Sequence, residues 1–556
     1  MNKKVCSFPI LFALLALLIG TCAVVFPASA QAAPTSTGSI TVSGIVASSY
    51  DAYQIFDANV VDGDSDAKIA TDLAWASDAV RDAVMPVLHS AGMPNSQTTA
   101  QEAAEWLNTD SHLTSALSAQ LARSLQSSGA VSVALNAGTT AELPCGYWLI
   151  VADDDAISQG EAGTAPIMAL VGGSAVTVKP KAATPKVAKH VLEDGTAAWQ
   201  KAADATVADD LYWRLSATVP AGLTAYDTYT VRFVDTMSAG LDPSKVAASM
   251  RVYVAAGADG GFDAVSAGRD GRAGTEPAKG WTDITAQCAT KVAADGKTFT
   301  VRTGDLIAAL GGADAFTAGA RVVAVYNAPL NSACNHGIAK GNPNEVYLRY
   351  PRSPFADQSG DAGFTHTPSD DACAYTWDLA LTKRGSDGDK PLAGAVLSIA
   401  DDRGRTLAAD GTWDAEGMAT VTTGEDGRVT VSGVDSGKLE VRELKAPKGY
   451  TAFEGTRSVT VKAEGLDVDQ VAAAKPKLTI TAESPLRADS ADGSTGSLEA
   501  SLINTPTGTP PSITTGGFMP STGDMAMYAA AAAAVAGAAL IVVALLVKRG
   551  GGSHKE

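Results

Sequence analysis

Recognised catalytic and ligand-binding motifs are missing from this sequence. It has no GxSxG nucleophile elbow and no HExxH metal-binding helix, and its 6 histidines are scattered along the chain. The acidic run from Asp62 to Asp66 begins like a calcium loop, but Ala67 and Leu73 stand where that loop requires glycine and glutamate. These absences argue against an enzyme that turns over a foreign substrate, and we expect no cofactor and no metal ion.

Basic residues and cysteines are also scarce. The chain has 42 Lys and Arg against 60 Asp and Glu, a formal net charge of -18, and no basic stripe, which argues against a nucleic-acid partner. The cysteines beyond residue 30 are Cys145, Cys288, Cys334 and Cys373. They form no CxxC pair, so the Cys334-Asn335-His336 run is only a weak metal signal. An even number of cysteines permits disulfides in an exported protein, and all three pairings stay open.

The N-terminus carries the three parts of a secretory signal peptide, which we assign to residues 1–30. Lys3 and Lys4 precede an apolar run over residues 8–25, and the small residues of 28–30 form a cleavage site. A lipoprotein signal through Cys22 stays open, although the usual small residue directly before such a cysteine is missing. The sequence therefore predicts export and a mature chain that starts near Gln31.

The C-terminus predicts a membrane anchor preceded by a short motif. Residues 525–547 are apolar over a length that spans a bilayer as a helix, and Lys548 and Arg549 place the tail, 548–556, in the cytoplasm. A Pro-, Thr- and Gly-rich linker over residues 507–518 comes before the helix, followed by Met519, Pro520, Ser521, Thr522 and Gly523. A plain single-pass anchor is one interpretation, but the order of these parts favours a processing signal.

Between the two ends, the sequence predicts a mainly β protein with three domains. Residues 34–180 start and end with strand-like segments and enclose two helical patterns, at 73–89 and 100–125, which predicts a mixed α+β N-terminal domain. Residues 186–370 and 373–506 consist of short alternating strands separated by Gly, Asp and Pro turns. This texture predicts two tandem β-sandwiches.

Each predicted sandwich has a lysine, an acid and an asparagine on strand positions of the parity that faces the core. They fall on the first strand, a middle strand and the last strand of each sandwich. The residues are Lys189, Asp235 and Asn344 in the middle sandwich, and Lys383, Glu443 and Asn504 in the C-terminal sandwich. A charge that reaches water from a strand end is the ordinary explanation for any single one of them. Two sets in the same chain order are not explained in that way.

These three residue types are the ones that an intramolecular isopeptide bond requires. Burial lowers the pKa of a lysine and raises the pKa of a carboxylic acid, so the amine can be neutral and nucleophilic while the acid is protonated. The acid then transfers protons while the amine displaces ammonia from the asparagine. The predicted bonds are Lys189 to Asn344, promoted by Asp235, and Lys383 to Asn504, promoted by Glu443.

The sequence is similar to the sortase-assembled major (backbone) pilins of Gram-positive bacteria, a family with Cna-type, immunoglobulin-like β-sandwiches. The segment 439–450 resembles the pilin E-box, whose glutamate is Glu443 here. Segments 233–241 and 341–348 are similar to the acid and amide segments of the family's middle domain. The pentapeptide 519–523 resembles the LPxTG cell-wall sorting signal, with methionine in place of leucine.

The resemblance implies a structural subunit of a covalent surface fibre. A class C sortase would cleave after Thr522 and join it to a lysine of an identical subunit, and a housekeeping sortase would attach the fibre to peptidoglycan. Accessory pilins and host surface ligands are further partners that the family admits. The implied location is the cell wall and a surface pilus, with the chain tethered to the membrane before cleavage.

The resemblance also implies an acceptor lysine for the Thr522 acyl group. In the family this lysine ends a W-x-x-x-V-x-V-Y-P-K motif before the middle domain, and Lys181 occupies that place after Val176 and Val178. The motif departs from the family at two positions, since Lys179 replaces tyrosine and Gly172 replaces tryptophan. Lys179 and Lys186 are therefore rival acceptors. Without an acceptor, the chain would be a wall-anchored monomeric adhesin or an accessory pilin.

Overall fold

The computed structural model describes residues 36–508, except residues 45, 65–66, 110, 164, 181–183, 222 and 258–279. The predicted signal peptide, sorting motif, membrane helix and tail lie outside these residues, as does most of the predicted linker. Within the described part of the chain, no helix has both the length and the apolar character that a membrane span requires.

The N-terminal part contains two sheets and a group of helices. Its strands are β1 (Thr37–Val42), β2 (Ser49–Asp62), β3 (Lys68–Trp75), β4 (Val133–Asn136), β5 (Thr140–Pro144), β6 (Gly146–Ala152), β7 (Ile167–Val171) and β8 (Val176–Val178). Its helices are α1 (Asp78–Ser90), α2 (Ala100–Asn108) and α3 (Ser115–Ser128). The larger sheet has the order β3-β2-β6-β7 with β4 paired to β2, and the smaller has the order β5-β1-β8. Along β6, Leu149 and Val151 pack on the helices whereas Trp148 and Ile150 pack on the small sheet.

The helices of this part differ from the predicted helical patterns. Leu73 belongs to β3, and α1 begins only after Ser77, whose hydroxyl accepts a hydrogen bond from Val80 N. The second pattern is divided into α2 and α3. Thr99 and Glu102 form a capping box at the start of α2, and Thr114 caps α3. Two N-terminal caps within one apolar periodicity produce two helices instead of one.

The middle sandwich consists of two antiparallel-rich sheets that share one core. Its strands are β9 (Val187–Glu193), β10 (Ala198–Gln200), β11 (Ala202–Asp204), β12 (Tyr212–Thr218), β13 (Arg232–Met237), β14 (Arg251–Ala255), β15 (Thr282–Asp283), β16 (Ala289–Val292), β17 (Thr298–Arg302), β18 (Arg321–Asn327), β19 (Asn342–Pro351), β20 (Phe364–His366) and β21 (Asp370–Tyr375). Two short helices, α4 (Val246–Ser249) and α5 (Leu306–Ala309), lie in its connections. The sheet orders are β10-β9-β12-β18-β14-β15 and β11-β21-β19-β13-β17-β16, with β20 paired to β19.

The C-terminal sandwich is built in the same manner. Its strands are β22 (Trp377–Gly385), β23 (Val396–Ala400), β24 (Thr406–Leu407), β25 (Trp413–Asp414), β26 (Val421–Thr422), β27 (Arg428–Val434), β28 (Gly437–Lys445), β29 (Tyr450–Thr451), β30 (Thr456–Glu464), β31 (Lys477–Ala482), β32 (Leu486–Asp492) and β33 (Ser497–Pro506). One sheet has the order β27-β22-β33-β29 with β32 on β33. The other has the order β25-β24-β23-β28-β30-β31 with β26 on β23.

The prediction of a mainly β chain with a mixed N-terminal part and tandem sandwiches is confirmed. Two details differ from the sequence interpretation. Asn344 does not lie on the last strand of the middle sandwich, because β20 and β21 follow β19. Ala202, Cys373 and Tyr375 pack into the core of the C-terminal sandwich, so the two sandwiches share side chains at their junction.

Candidate functional site: two buried lysine, acid and asparagine sets

The C-terminal set is brought together by the first and last strands of the sandwich. Strands β22 and β33 are parallel neighbours, with Lys383 opposite Leu502 and Gly385 opposite Asn504. Lys383 and Asn504 are therefore two positions apart on adjacent strands, and both side chains enter the core. Glu443 reaches the same place from β28 in the facing sheet. The alternation of each strand directs the three polar side chains into an otherwise apolar interior.

The three C-terminal side chains contact one another directly. The Lys383 ammonium donates a hydrogen bond to Asn504 Oδ1 and lies 3.1 Å from Glu443 Oε1. Asn504 Nδ2 donates to both carboxylate oxygens of Glu443, at 2.9 and 3.1 Å. The amide is thus held at its oxygen by the lysine and at its nitrogen by the acid. This places the amine beside the carboxamide group that it would have to attack.

Burial controls the charge of this lysine. The Lys383 side chain is fully buried, and Asn504 is 2% exposed. Removal from water lowers the pKa of Lys383 to about 8, although the nearby Glu443 carboxylate opposes the change. Phe453 closes the site: its backbone N–H donates to Glu443 Oε2 at 3.1 Å, and its ring centre lies 5.9 Å from Lys383 Nζ. The neutral fraction of this amine at neutral pH is therefore larger than that of an ordinary exposed lysine.

The middle set joins the two sheets of its sandwich. Lys189 lies on β9 in one sheet, whereas Asp235 on β13 and Asn344 on β19 are neighbours in the other sheet. All three side chains have an exposed fraction of 0%. A bond between Lys189 and Asn344 would therefore cross the core from sheet to sheet, whereas the C-terminal pair lies within a single sheet.

Tyr326 on β18 connects the members of the middle set. The Lys189 ammonium donates to Asp235 Oδ2 and to the Tyr326 hydroxyl, which is 2.9 Å away. The hydroxyl also accepts from Asn344 Nδ2 at 2.8 Å and donates to Asp235 Oδ2 at 3.1 Å. The structure thus links the lysine to the asparagine through a phenol, which differs from the direct contact in the C-terminal set.

The middle set is electrostatically frustrated in its ionised form. Burial lowers the pKa of Lys189 to about 8, while the Asp235 carboxylate opposes that change, and burial raises the pKa of Asp235. Asp235 Oδ1 and Asn344 Oδ1 are buried and accept no hydrogen bond in the described part of the chain. A proton on Asp235 would turn one of these two acceptors into a donor. Both pKa shifts favour the neutral amine and the neutral acid, which is the pairing that nucleophilic attack requires.

Our sequence interpretation missed Tyr326, and its strand pattern contains a signal that could have found it. Val322, Ala324 and Tyr326 share the core-facing parity of β18 and are all buried. A tyrosine on a core parity needs a partner for its hydroxyl, as do Lys189 and Asp235. Which polar core residues meet depends on the sheet order, however. In this sheet a single strand, β12, separates β18 from β9.

Comparison with known families now identifies the C-terminal sandwich. Residues 378–475 match the family described as SpaA, a prealbumin-like fold domain. This segment contains Lys383 and Glu443, while Asn504 lies on the closing strand beyond it. After this match, which covers residues 378–475, we call the C-terminal sandwich the SpaA domain. The resemblance that its segment 439–450 indicated from the sequence is thereby confirmed for this part of the chain.

Similarity to individual proteins extends beyond the SpaA domain. The chain is 30% identical over 143 residues to the trypsin-resistant surface T6 protein of Streptococcus pyogenes serotype M6, which covers 24% of each chain. It therefore spans about a quarter of the length of that relative. Among solved structures, the T6 backbone pilin of the same serotype matches with 17% identity and a TM-score of 0.47, covering 86% of this chain and 100% of that one. The major pilin SpaD of Corynebacterium diphtheriae matches with 16% identity and a TM-score of 0.41, covering 85% and 98%.

The remaining predicted site residues are the acceptor lysine, its two rivals, the sorting motif and the cysteines. Lys181 and the motif Met519 to Gly523 are outside the described residues. The rival acceptors Lys179 and Lys186 are both exposed, and Lys179 directly follows β8. The four cysteines that permitted disulfides all lie in the described part of the chain and are free thiols.

Proposed function

We propose that this chain is the backbone subunit of a covalent cell-surface pilus, stiffened by intramolecular isopeptide bonds and not acting as an enzyme on foreign substrates. The observation that carries the proposal is the pair of buried lysine, acid and asparagine sets, one in each sandwich. The SpaA domain and the similarity to the T6 surface protein support the same assignment. Identical subunits, sortases, accessory pilins and peptidoglycan are the partners that follow from it.

Each set is arranged for one self-catalysed reaction. The neutral lysine Nζ attacks Cγ of the asparagine, a C–N bond forms, and the bond between Cγ and Nδ2 breaks. The protonated acid donates its proton to the departing nitrogen, which leaves as ammonia, and takes up a proton from the attacking amine, so that it ends protonated again. Asp235 takes this role beside Lys189, and Glu443 takes it beside Lys383. The core excludes water, so hydrolysis of the amide does not compete.

The topology of the SpaA domain gives the bond a mechanical function. The chain enters the domain on β22 and leaves it on β33, and these strands are adjacent and parallel. A bond from Lys383 to Asn504 would carry a pull on the two ends without loading the other strands. By analogy with a disulfide, closing this loop would also stabilise the fold by about 4–5 kcal/mol, because the unfolded chain loses entropy.

The links between subunits require the two ends of the mature chain. In the proposed step a sortase thiolate attacks the carbonyl carbon of Thr522, the bond to Gly523 breaks, and a thioester forms. The amine of Lys181 in the next subunit then displaces the thiolate and forms an amide. The short strand β8 leads into this lysine and pairs with β1, which supports a fixed departure point for the acceptor segment.

Intact mass of the recombinant chain from residue 31 to residue 518 tests the internal bonds. Two bonds predict a mass about 34 Da below that of the sequence, because each releases one ammonia. Lys383→Ala and Lys189→Ala should each halve the deficit. Lys68→Ala is the matched control and should keep the full deficit, because Lys68 is a buried lysine that donates to the Gly172 and Ser174 carbonyls. A full-length mass without deficit would refute the proposed bonds.

Polymerisation is tested in cells that express the chain with its class C sortase. The backbone assignment predicts an SDS-resistant ladder of high-mass species that Thr522→Ala and Lys181→Ala both abolish. Lys179→Ala and Lys186→Ala should leave the ladder intact. A single band from the unmodified chain would indicate a wall-anchored monomeric adhesin or accessory pilin instead. A ladder that survives Lys181→Ala but not one of the other variants would move the acceptor to that residue.

A further inference from the structure

A cysteine, a histidine and an aspartate form a line across the junction of the middle sandwich and the SpaA domain. Cys334 Sγ lies 3.5 Å from His336 Nε2, and His336 Nδ1 lies 2.7 Å from Asp378 Oδ1. The two ring nitrogens point in opposite directions, so the three groups do not converge on one point as metal ligands would. The arrangement is that of a thiol whose neighbouring imidazole is oriented by a carboxylate.

Both domains are needed to build this arrangement. Cys334 and His336 lie in the connection between β18 and β19, whereas Asp378 lies on β22 of the SpaA domain. The Asp378 Oδ1 atom also accepts a hydrogen bond from Gly433 N at 3.1 Å. Gly337 N donates to the Thr376 carbonyl at 3.0 Å, which fastens the histidine loop to the SpaA domain. The imidazole is therefore held in one orientation beside the thiol.

The imidazole beside the Cys334 thiol carries a positive charge. The hydrogen bond to Asp378, followed by the one to Cys334, raises the pKa of His336 to about 10, so the ring is an imidazolium at neutral pH. A thiolate, not a thiol, is the nucleophile in cysteine chemistry, and an adjacent imidazolium stabilises it. Burial raises the pKa of Cys288 and that of Cys373 to about 11, which disfavours the thiolate at both of these sites.

We propose that Cys334 is a nucleophilic thiol that exchanges with low-molecular-weight disulfides, at a site completed by His336 and Asp378. The thiolate attacks one sulfur of the disulfide, a bond forms between Cys334 Sγ and that sulfur, and the disulfide's own S–S bond breaks. The second sulfur leaves as a thiolate that takes a proton from solvent, while the hydrogen bond to Asp378 keeps the proton on the His336 imidazolium. The product is a mixed disulfide at the junction. This inference does not depend on pilus assembly or on the isopeptide bonds.

The solvent exposure of the cysteines and the proposed activation by His336 predict opposite orders of cysteine reactivity, so the test separates the two. Cys334 is 9% exposed and Cys373 is 2% exposed, whereas Cys288 is partly exposed. If access alone decided the rate, Cys288 would react first. We expect Cys334 to react first, at least tenfold faster than Cys288, when the mature chain is incubated with glutathione disulfide at pH 7. Peptide mapping by mass spectrometry assigns the modified cysteine, and modification of Cys288 before Cys334 would overturn the proposal.

Two variants test whether the histidine is responsible. His336→Gln removes the imidazolium, and Asp378→Asn removes the carboxylate that orients it, so each should slow modification of Cys334 at least tenfold. Cys288→Ser is the control and should leave the Cys334 rate unchanged. Modification of the neighbouring Cys373 would report that the junction has opened. We expect Cys373 to stay unmodified in both variants. Unchanged Cys334 rates in both variants with Cys373 protected would show that the thiol is not activated.

Discussion

The hydroxyl of Tyr326 lies 2.8 Å from Nδ2 of Asn344, the nitrogen that would leave as ammonia. The same hydroxyl donates to Asp235 Oδ2, so it stands between the acid and the leaving group. In the SpaA domain the acid itself contacts the leaving nitrogen, since Asn504 Nδ2 donates to Glu443. The two sandwiches would thus use different proton paths for the same proposed reaction.

Tyr326→Phe should slow formation of the middle bond and leave the bond of the SpaA domain unaffected. The phenol is the group through which a proton would pass from Asp235 to the departing nitrogen, and removing a positioned proton donor costs about a hundredfold in rate. Intact mass followed over time after a short pulse of expression should show the first loss of about 17 Da at the normal time and the second loss later. The SpaA domain is an internal control in every sample.

A second control for this variant removes a buried hydroxyl elsewhere. Tyr229 is 1% exposed and packs edge-on against Tyr226 in the middle sandwich, away from the lysine set. Tyr229→Phe should keep the normal time course of both mass losses. Equal time courses for Tyr326→Phe and the unmodified chain would show that the acid reaches Asn344 without the phenol.

Glu443→Gln should destabilise the SpaA domain more than Lys383→Met does. Both variants prevent the bond and lose its stabilisation of about 4–5 kcal/mol. Glu443→Gln also leaves Lys383 buried without a carboxylate, and breaking a buried pair by removing one partner costs about 3–5 kcal/mol. Lys383→Met replaces the ammonium with an apolar side chain. Chemical denaturation should give a lower free energy of unfolding for Glu443→Gln than for Lys383→Met. The reverse order would indicate that Glu443 does not stabilise the buried charge of Lys383.

Stability should fall as pH rises from about 4.5 to about 8, and Glu193→Gln should weaken that trend. Burial, reinforced by the charges of Asp204 and Asp194, raises the pKa of Glu193 to about 8. Between its unfolded and folded pKa values the folded state therefore binds an extra proton, which favours folding at the acid end of this range and is lost at the alkaline end. Replacing this carboxyl group should reduce the slope of the free energy of unfolding against pH by up to about 1.4 kcal/mol per pH unit.

Thermal denaturation at pH 5 and pH 8 measures the effect. Burial also raises the pKa of Asp435, so part of the slope should survive in Glu193→Gln. Glu425→Gln, a substitution of an exposed glutamate in the SpaA domain, should change nothing. A slope in Glu193→Gln equal to that of the unmodified chain would mean that Glu193 is ionised in the folded protein.

Arg405→Lys should loosen the junction between the middle sandwich and the SpaA domain. The Arg405 guanidinium contacts both carboxylate oxygens of Asp209, at 2.5 and 2.8 Å, and lysine cannot form this two-pronged contact. Losing it should cost about 1–3 kcal/mol. Hydrogen exchange at Val207 N, which donates to the Gly433 carbonyl across the junction, should accelerate at least fivefold. Arg487→Lys, at an exposed ion pair with Asp489, should leave this exchange rate unchanged.

The alternation of apolar residues was sufficient to predict the strands that carry the two lysine, acid and asparagine sets, because a half-buried strand shows period two in its sequence. Leu379, Leu381 and Lys383 illustrate this, since the parity that predicted them as core residues is the parity that is buried. The helices of the N-terminal part were less well predicted. The apolar period continues across residues 109–114, and the caps at Thr99 and Thr114 decide where the helices begin.

The sequence alone determined which residue types make up the candidate site: a lysine, an acid and an asparagine on core-facing positions of each sandwich. Only the tertiary structure decided how they meet. Parity states which face a side chain occupies but not which strands become neighbours, so the direct Lys383 and Asn504 contact and the Tyr326 bridge depend on sheet order. The Cys334, His336 and Asp378 line depends on how two domains pack, because residues 42 positions apart in sequence meet only there.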